Sequence, residues 1–201
     1  MDRLTDPRST GVMTTATTPT TPVVAAPPVP LAGSPAAAST GHPVRDVPAG
    51  LVRRALAKRS YAVLATVSPA GRPHAAGVLY TMVGDDLWLS TETTSRKGRN
   101  LLASPHVGVT VPVRRLPIGP PATIHLQGRA DVLAVDDPEV LRLVATGDLK
   151  AITSHGEREL PDGCFVRVTP GRTIHTYALG MSLWTVLRNP LASAGRSTFR
   201  P

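Results

Sequence analysis

The chain has 201 residues, of which 41% are hydrophobic and only 3% aromatic; it carries a net charge of +8 and a single cysteine, Cys164. One cysteine excludes a disulfide framework and a Cys-based metal centre, and no apolar run reaches the roughly 18 residues that a membrane helix needs. A basic chain suggests an anionic partner, whether nucleic acid, an acidic membrane surface or a phosphorylated small molecule; few aromatic platforms, and no helix-turn-helix, zinc-finger or RNA-binding signature, argue against the first, and the expected setting is a reducing cytoplasm.

Residues 1–47 balance Arg3, Arg8 and Arg45 against Asp2, Asp6 and Asp46 and contain no Trp, Tyr or Phe. Rich in Thr, Pro and Ala, this stretch cannot bury enough apolar surface to offset its ordering entropy, and it is expected to be a disordered tail. The excess charge therefore lies in the remainder, where residues 48–180 are expected to form the folded domain and 181–201 a C-terminal tail.

"PAGLVRRALAKRS" predicts a helix starting at Pro48, with Leu51, Ala55 and Leu56 on one face. "YAVLATV" and "HAAGVLYTMV" flank the turn "SPAGRP" and predict a hairpin; "GDD" turns into a third strand, "LWLST". "RNLLAS" reads as a short helix stopping before Pro105, with Thr94 and Ser95 as candidate N-caps, and "HVGVTVPV" is a fourth strand. The loop "RRLPIGPPA", with Arg114 and Arg115, leads to the alternating strand "TIHLQGRADVLAV", where Gly128 marks a bulge or bend. "DDPEVLRLVATGD" is a helix capped by Asp136 or Asp137, and "CFVRVTP" with "TIHTYALG" predicts a second hairpin. Seven short strands with two or three short helices predict a mainly β domain, an antiparallel, partly open Greek-key barrel rather than a doubly wound parallel sheet.

The second helix start breaks a rule. Its first turn, at the positive end of the macrodipole, carries Arg96, Lys97 and Arg99 with no acidic residue. Each cation there costs a few tenths of a kcal/mol in the empty protein, and the sign reverses when a dianion docks on the free N–H groups. The hydroxyls of Ser90, Thr91, Thr94 and Ser95 lie close by in sequence to complete such a phosphate site; a solvated basic surface is the plain alternative.

The ordered series "LAT…GRPH", "LWLST", "SRKGRNL" and "PHV", followed by "HLQGRADVL", resembles the pyridoxamine 5′-phosphate oxidase-like superfamily, the flavin-binding split β-barrels, over about residues 50–180. The resemblance implies a homodimer with a phosphate-bearing cofactor in the cleft between subunits. Thr91, Ser95, Arg96 and Lys97 would hold the phosphate, Asn100 or Arg99 the cofactor tail, and the strand His74 to Tyr80, through His74, Ala76 and Val78, would run beside the ring. Leu79-Tyr80 stands where the true oxidases carry a basic residue, and "GRTIHTYALGMSLWTVLRNP" lacks their final Arg- and His-bearing segment. The resemblance therefore implies not pyridoxamine phosphate oxidation but the small split barrels that use coenzyme F420 or FMN, acting as oxidoreductases on a small organic substrate. Tyr80 and Tyr177 are candidate proton donors, though the chemistry requires no catalytic side chain. The alternative is a non-catalytic carrier of flavin, F420 or haem, with His125 and His175 as haem candidates. No set of residues has metal-ligand spacing, and no membrane or nucleic-acid partner is expected.

Overall fold

The computed structural model describes residues 44–113, 122–154, 156 and 159–199. The Thr/Pro/Ala-rich segment up to residue 43 and most of the "RRLPIGPPA" loop, with Arg114 and Arg115, lie outside the described residues.

In chain order the elements are β1 (Arg45–Asp46), α1 (Ala49–Ala57), β2 (Tyr61–Val67), β3 (Pro73–Leu79), β4 (Thr81–Val83), β5 (Asp86–Glu92), α2 (Arg96–Ala103), β6 (His106–Val113), β7 (Ala122–Ala134), α3 (Pro138–Ala145), β8 (Gly163–Tyr177), α4 (Leu183–Arg188) and β9 (Ala194–Thr198). The nine strands form one sheet in the order β1-β9-β8-β7-β6-β2-β3, with β5 joining β8 on a separate branch and β4 joining β5. Every ladder is antiparallel except β1 with β9. The sheet curls without closing: this is the split barrel that the sequence predicts.

Alternation builds the interior. In β2, Ala62, Leu64 and Thr66 are buried while Tyr61, Ala65 and Val67 are exposed, the period-2 signature of a sheet with one dry face. The dry faces supply Leu64, Leu89, Val109, Ile124, Val166 and Ile174 to the main core, and α1 adds Val52 and Leu56 to it. A second core, Trp88, Phe165, Val140 and Leu143 among it, lies under α3. Asp137, one of the two expected caps, accepts the Glu139 N–H at 2.8 Å and starts α3.

Three expectations change. "CFVRVTP" and "TIHTYALG" are one continuous strand, β8, because Pro170 and Ile174 both pair with β7, opposite Gly128 and Leu126. Gly171 does not adopt the positive φ that a tight hairpin turn uses. The register shift in β7 between Leu126 and Gly128, the expected bulge, falls at the same level. At the N-terminal boundary, Arg45–Asp46 already pair with β9, inside the segment expected to be disordered. At the other end, residues 183–198 are not a tail, since α4 and β9 follow and β9 is hydrogen-bonded into the sheet along Thr173–Tyr177.

A cationic cleft between the first hairpin and the second helix

The β2–β3 connection is held tightly by its own residues. Ser68 N–H donates to the Arg72 carbonyl at 2.9 Å, Gly71 N–H to the Ser68 carbonyl at 2.8 Å, and Arg72 N–H to Ser68 Oγ at 3.1 Å. Gly71 has φ +72°, a conformation open to glycine at no steric cost. The turn thus fixes Arg72 at the tip side of β3.

Across from it, α2 starts at Ser95, whose Oγ accepts the Gly98 N–H at 3.0 Å and donates to the Glu92 carbonyl at 2.7 Å. Thr91 Oγ1 lies 3.2 Å from the same oxygen. Gly98 lets the helix sit against the end of β5, since a Cβ there would lie 2.1 Å from the Glu92 carbonyl oxygen. Further along, Asn100 is buried, and its Nδ2 donates to Thr66 Oγ1 at 3.0 Å; that hydroxyl in turn donates to the His74 carbonyl at 3.5 Å. One polar chain therefore ties α2 to β2 and β3.

Between turn and helix lies a cleft of about 530 Å³, lined by Arg72, His74, Arg96, Arg99 and Asn100 together with Ser68 and its neighbours. The structure brings together His74, Arg96, Arg99 and Asn100 of the residues expected at the cofactor, and adds the unanticipated Arg72. Arg99 also donates to the Thr94 carbonyl. Thr91 and Ser95 lie beneath the cationic turn as its scaffold, the Ser95 hydroxyl being engaged at both its donor and acceptor sides. Lys97 does not line the cleft. Its charge acts on the buried Cys164 thiol, which burial pushes up and Lys97 draws partly back. Ala76 is half-buried on the same face of β3 as His74. Val78, at 7% exposure, belongs to the barrel core, so its side chain is spoken for by packing. The sheet path ends at β3, whose second edge is unpaired by any strand among the described residues and offers backbone groups to a ligand.

The acid missing from the first turn of α2 is supplied from a distance. Asp162 accepts from Thr94 Oγ1 at 3.3 Å through its carboxylate and from Thr93 N–H at 2.8 Å through its carbonyl. Tyr80 is excluded as a proton donor: its hydroxyl is buried and donates to the Leu56 carbonyl at 2.8 Å, and burial pushes the phenol well above its ordinary range. His125 and His175 lie away from this cleft, on the outer face of β7 and β8.

A sequence model of the pyridoxamine 5′-phosphate oxidase family matches residues 50–177. The chain belongs to that family. Among solved structures it is similar to HutZ, the haem storage protein from Vibrio cholerae, with a TM-score of 0.57 and 18% identity over 64% of this chain and 94% of that one. It is also similar to a haem binding protein from Mycobacterium smegmatis, with a TM-score of 0.56 and 22% identity over 67% of this chain and 55% of the other. A third similar structure, a conserved hypothetical protein from Mycobacterium tuberculosis, gives a TM-score of 0.51 at 20% identity, covering 63% and 82% of the two chains. At these identities the likeness is one of fold. No curated protein matches the chain. No helix of the described residues is long and apolar enough to cross a membrane.

Proposed function

We propose that the cleft binds the phosphate-bearing end of a flavin-type cofactor, coenzyme F420 or FMN, and that the protein is a cytoplasmic oxidoreductase acting on a small organic molecule. The observation that carries this reading is the convergence of Arg72, Arg96 and Arg99 with His74 on one cleft of about 530 Å³. Guanidinium groups bind phosphate and carboxylate in bidentate fashion, each charge-assisted hydrogen bond contributing about 1.5 to 3 kcal/mol. Three of them can surround the terminal oxygens of one phosphate, a demand that either cofactor meets.

When bound, the cofactor ring supplies the hydride chemistry itself. The chain binds and orients: the arginines hold the anionic end, the Asn100–Thr66–His74 link keeps α2 in register with β3, and the free edge of β3 offers backbone donors and acceptors. Tyr80 is sequestered and Tyr177 does not line the cleft, so no acid or base is assigned. A second protomer completes the site, because one protomer supplies only the turn, the helix and β3. Tyr61, Val67 and Leu79, exposed by 48%, 42% and 50% on the outer side of the first hairpin, offer it an apolar rim.

The test is parallel fluorescence titration of the full chain with FMN and F420, for wild type, R96E/K97E and R72E/R99E. Each double reversal is expected to weaken binding by at least about tenfold, one charge-assisted bond's worth. Wild-type affinity in both would overturn the assignment.

A second reading has one observation of its own: the cleft sets an imidazole, His74, among three arginines, the chemistry that haem asks for with an axial ligand and partners for two propionates. Two of the structures that share the fold, HutZ and the Mycobacterium smegmatis protein, are named for haem. A Soret band lost in H74A, together with indifference to both flavins, selects this reading.

A further inference from the structure

We propose that the outer face of the sheet holds a divalent transition-metal ion between His125 and His175. The two residues stand directly opposite each other across β7 and β8, both exposed, and both line a groove of about 540 Å³ that shares no residue with the cationic cleft. Directly opposed residues of an antiparallel pair have Cβ atoms about 4.5 to 5.5 Å apart. That spacing lets two imidazoles meet at one ion with metal–nitrogen bonds of about 2.0 to 2.1 Å. Imidazole pairs suit Zn²⁺, Ni²⁺ and Cu²⁺ rather than Mg²⁺ or Ca²⁺.

The neighbours prepare His125. Its Nδ1 lies 3.1 Å from Thr110 Oγ1 and its Nε2 2.8 Å from Thr123 Oγ1, so both ring nitrogens are held by hydroxyls. An ion replaces one hydroxyl at the unprotonated nitrogen, while the other continues to accept the ring N–H and fixes the tautomer. On the β2 and β6 side the groove is lined by Ala65 and Gly108, a methyl group and a residue without a side chain, which keep it open.

No cluster of three or more His, Cys, Asp or Glu residues exists among the described residues, so the ion's remaining positions are filled by water or a small anion. Arg172 lines the same groove and offers that anion a counter-charge. Arg196, opposite His175 on β9, is paired with Asp46 at 3.1 Å, which offsets its repulsion of a cation.

Calorimetric titration of the full chain with Ni²⁺ and with Zn²⁺ at neutral pH tests the site. H125Q and H175Q should each weaken binding by about tenfold or more, since each removes one of two metal–nitrogen bonds. A variant in which His42, His74, His106 and His155 are all Gln should bind as wild type does, and bound Cu²⁺ should show coupling to two nitrogens in its electron paramagnetic resonance spectrum. Both single substitutions lie on the exposed face, and their circular dichroism melts should match wild type. No binding by the wild-type chain, or wild-type affinity in H125Q/H175Q, overturns the proposal.

Discussion

Gly98→Ala isolates the close approach on which the cleft depends. By intrinsic propensity, replacing a helical glycine with alanine stabilises by about 1 kcal/mol. Here the new Cβ would stand 2.1 Å from the Glu92 carbonyl oxygen and 2.9 Å from both Thr93 Cα and the Thr93 carbonyl oxygen. All three are backbone atoms, so no side-chain rotation relieves the clash, and α2 must move outward by nearly an ångström. Overpacking of this kind costs about 1 to 3 kcal/mol, occasionally more. The shift also strains the Ser95–Gly98 cap at 3.0 Å and the Asn100–Thr66 bond at 3.0 Å. The expected net loss is about 1 to 2 kcal/mol, a fall in Tm of about 2 to 8 °C for a domain of this size. Because Arg96 and Arg99 ride on the same helix, cofactor affinity should fall with it. Differential scanning fluorimetry with and without ligand checks both. A Tm equal to or above wild type, with unchanged affinity, would refute the reasoning that this glycine is kept for space.

Tyr80→Phe leaves the buried Leu56 carbonyl without its 2.8 Å partner and should cost about 1 kcal/mol in urea unfolding. Turnover should be unchanged; a lost pH limb in kcat would restore Tyr80 as a proton donor. Stability should also decline in acid through His125. Its folded pKa lies below the ordinary 6.5, first through burial and then through His175. The unfolded chain therefore takes up the proton first, and stability is lost as pH falls from about 6.5 through the lower folded value. H125Q should flatten the urea midpoint between about pH 7 and 5; a slope identical to wild type would remove His125 as its source.

Much of the barrel was legible because local chemistry and tertiary demand agree. "SPAGRP" between alternating strands is a hairpin by its own turn residues, and Asp137 with Pro138 joins a favoured N-cap to a proline suited to the first turn. β1 and β9 were not legible. β1 has two residues, and the inward positions of β9 are Gly195 and Ser197, which carry no hydrophobic signal. The Pro170-Gly171 pair looks like a turn, but its surroundings keep the strand running, since β7 continues alongside on both sides of it.

The basic helix start shows a subtler limit. Arg96 and Lys97 are adjacent in sequence, yet successive helical residues diverge by about 100°. Arg96 and Arg99, three apart, therefore share a face and reach the cleft, while Lys97 is felt instead at Cys164. Arg72 carries no sign of its role in the sequence, because that role comes from the fold, which sets the hairpin tip beside α2.

The parallel pairing of Arg45 with Gly195 and of Asp46 with Arg196 places the first and last strands of the barrel side by side. Neighbouring strands are about 4.8 Å apart and rise about 3.3 Å per residue, so the entry at Arg45 and the exit at Thr198, three residues beyond Gly195, lie about 11 Å from each other. Such a body is portable: joining its two ends with a short linker and opening it at the Gly71 turn should give a circular permutant with the same sheet. For the same reason it can be seated within a surface loop of another protein while hardly parting the host's own backbone.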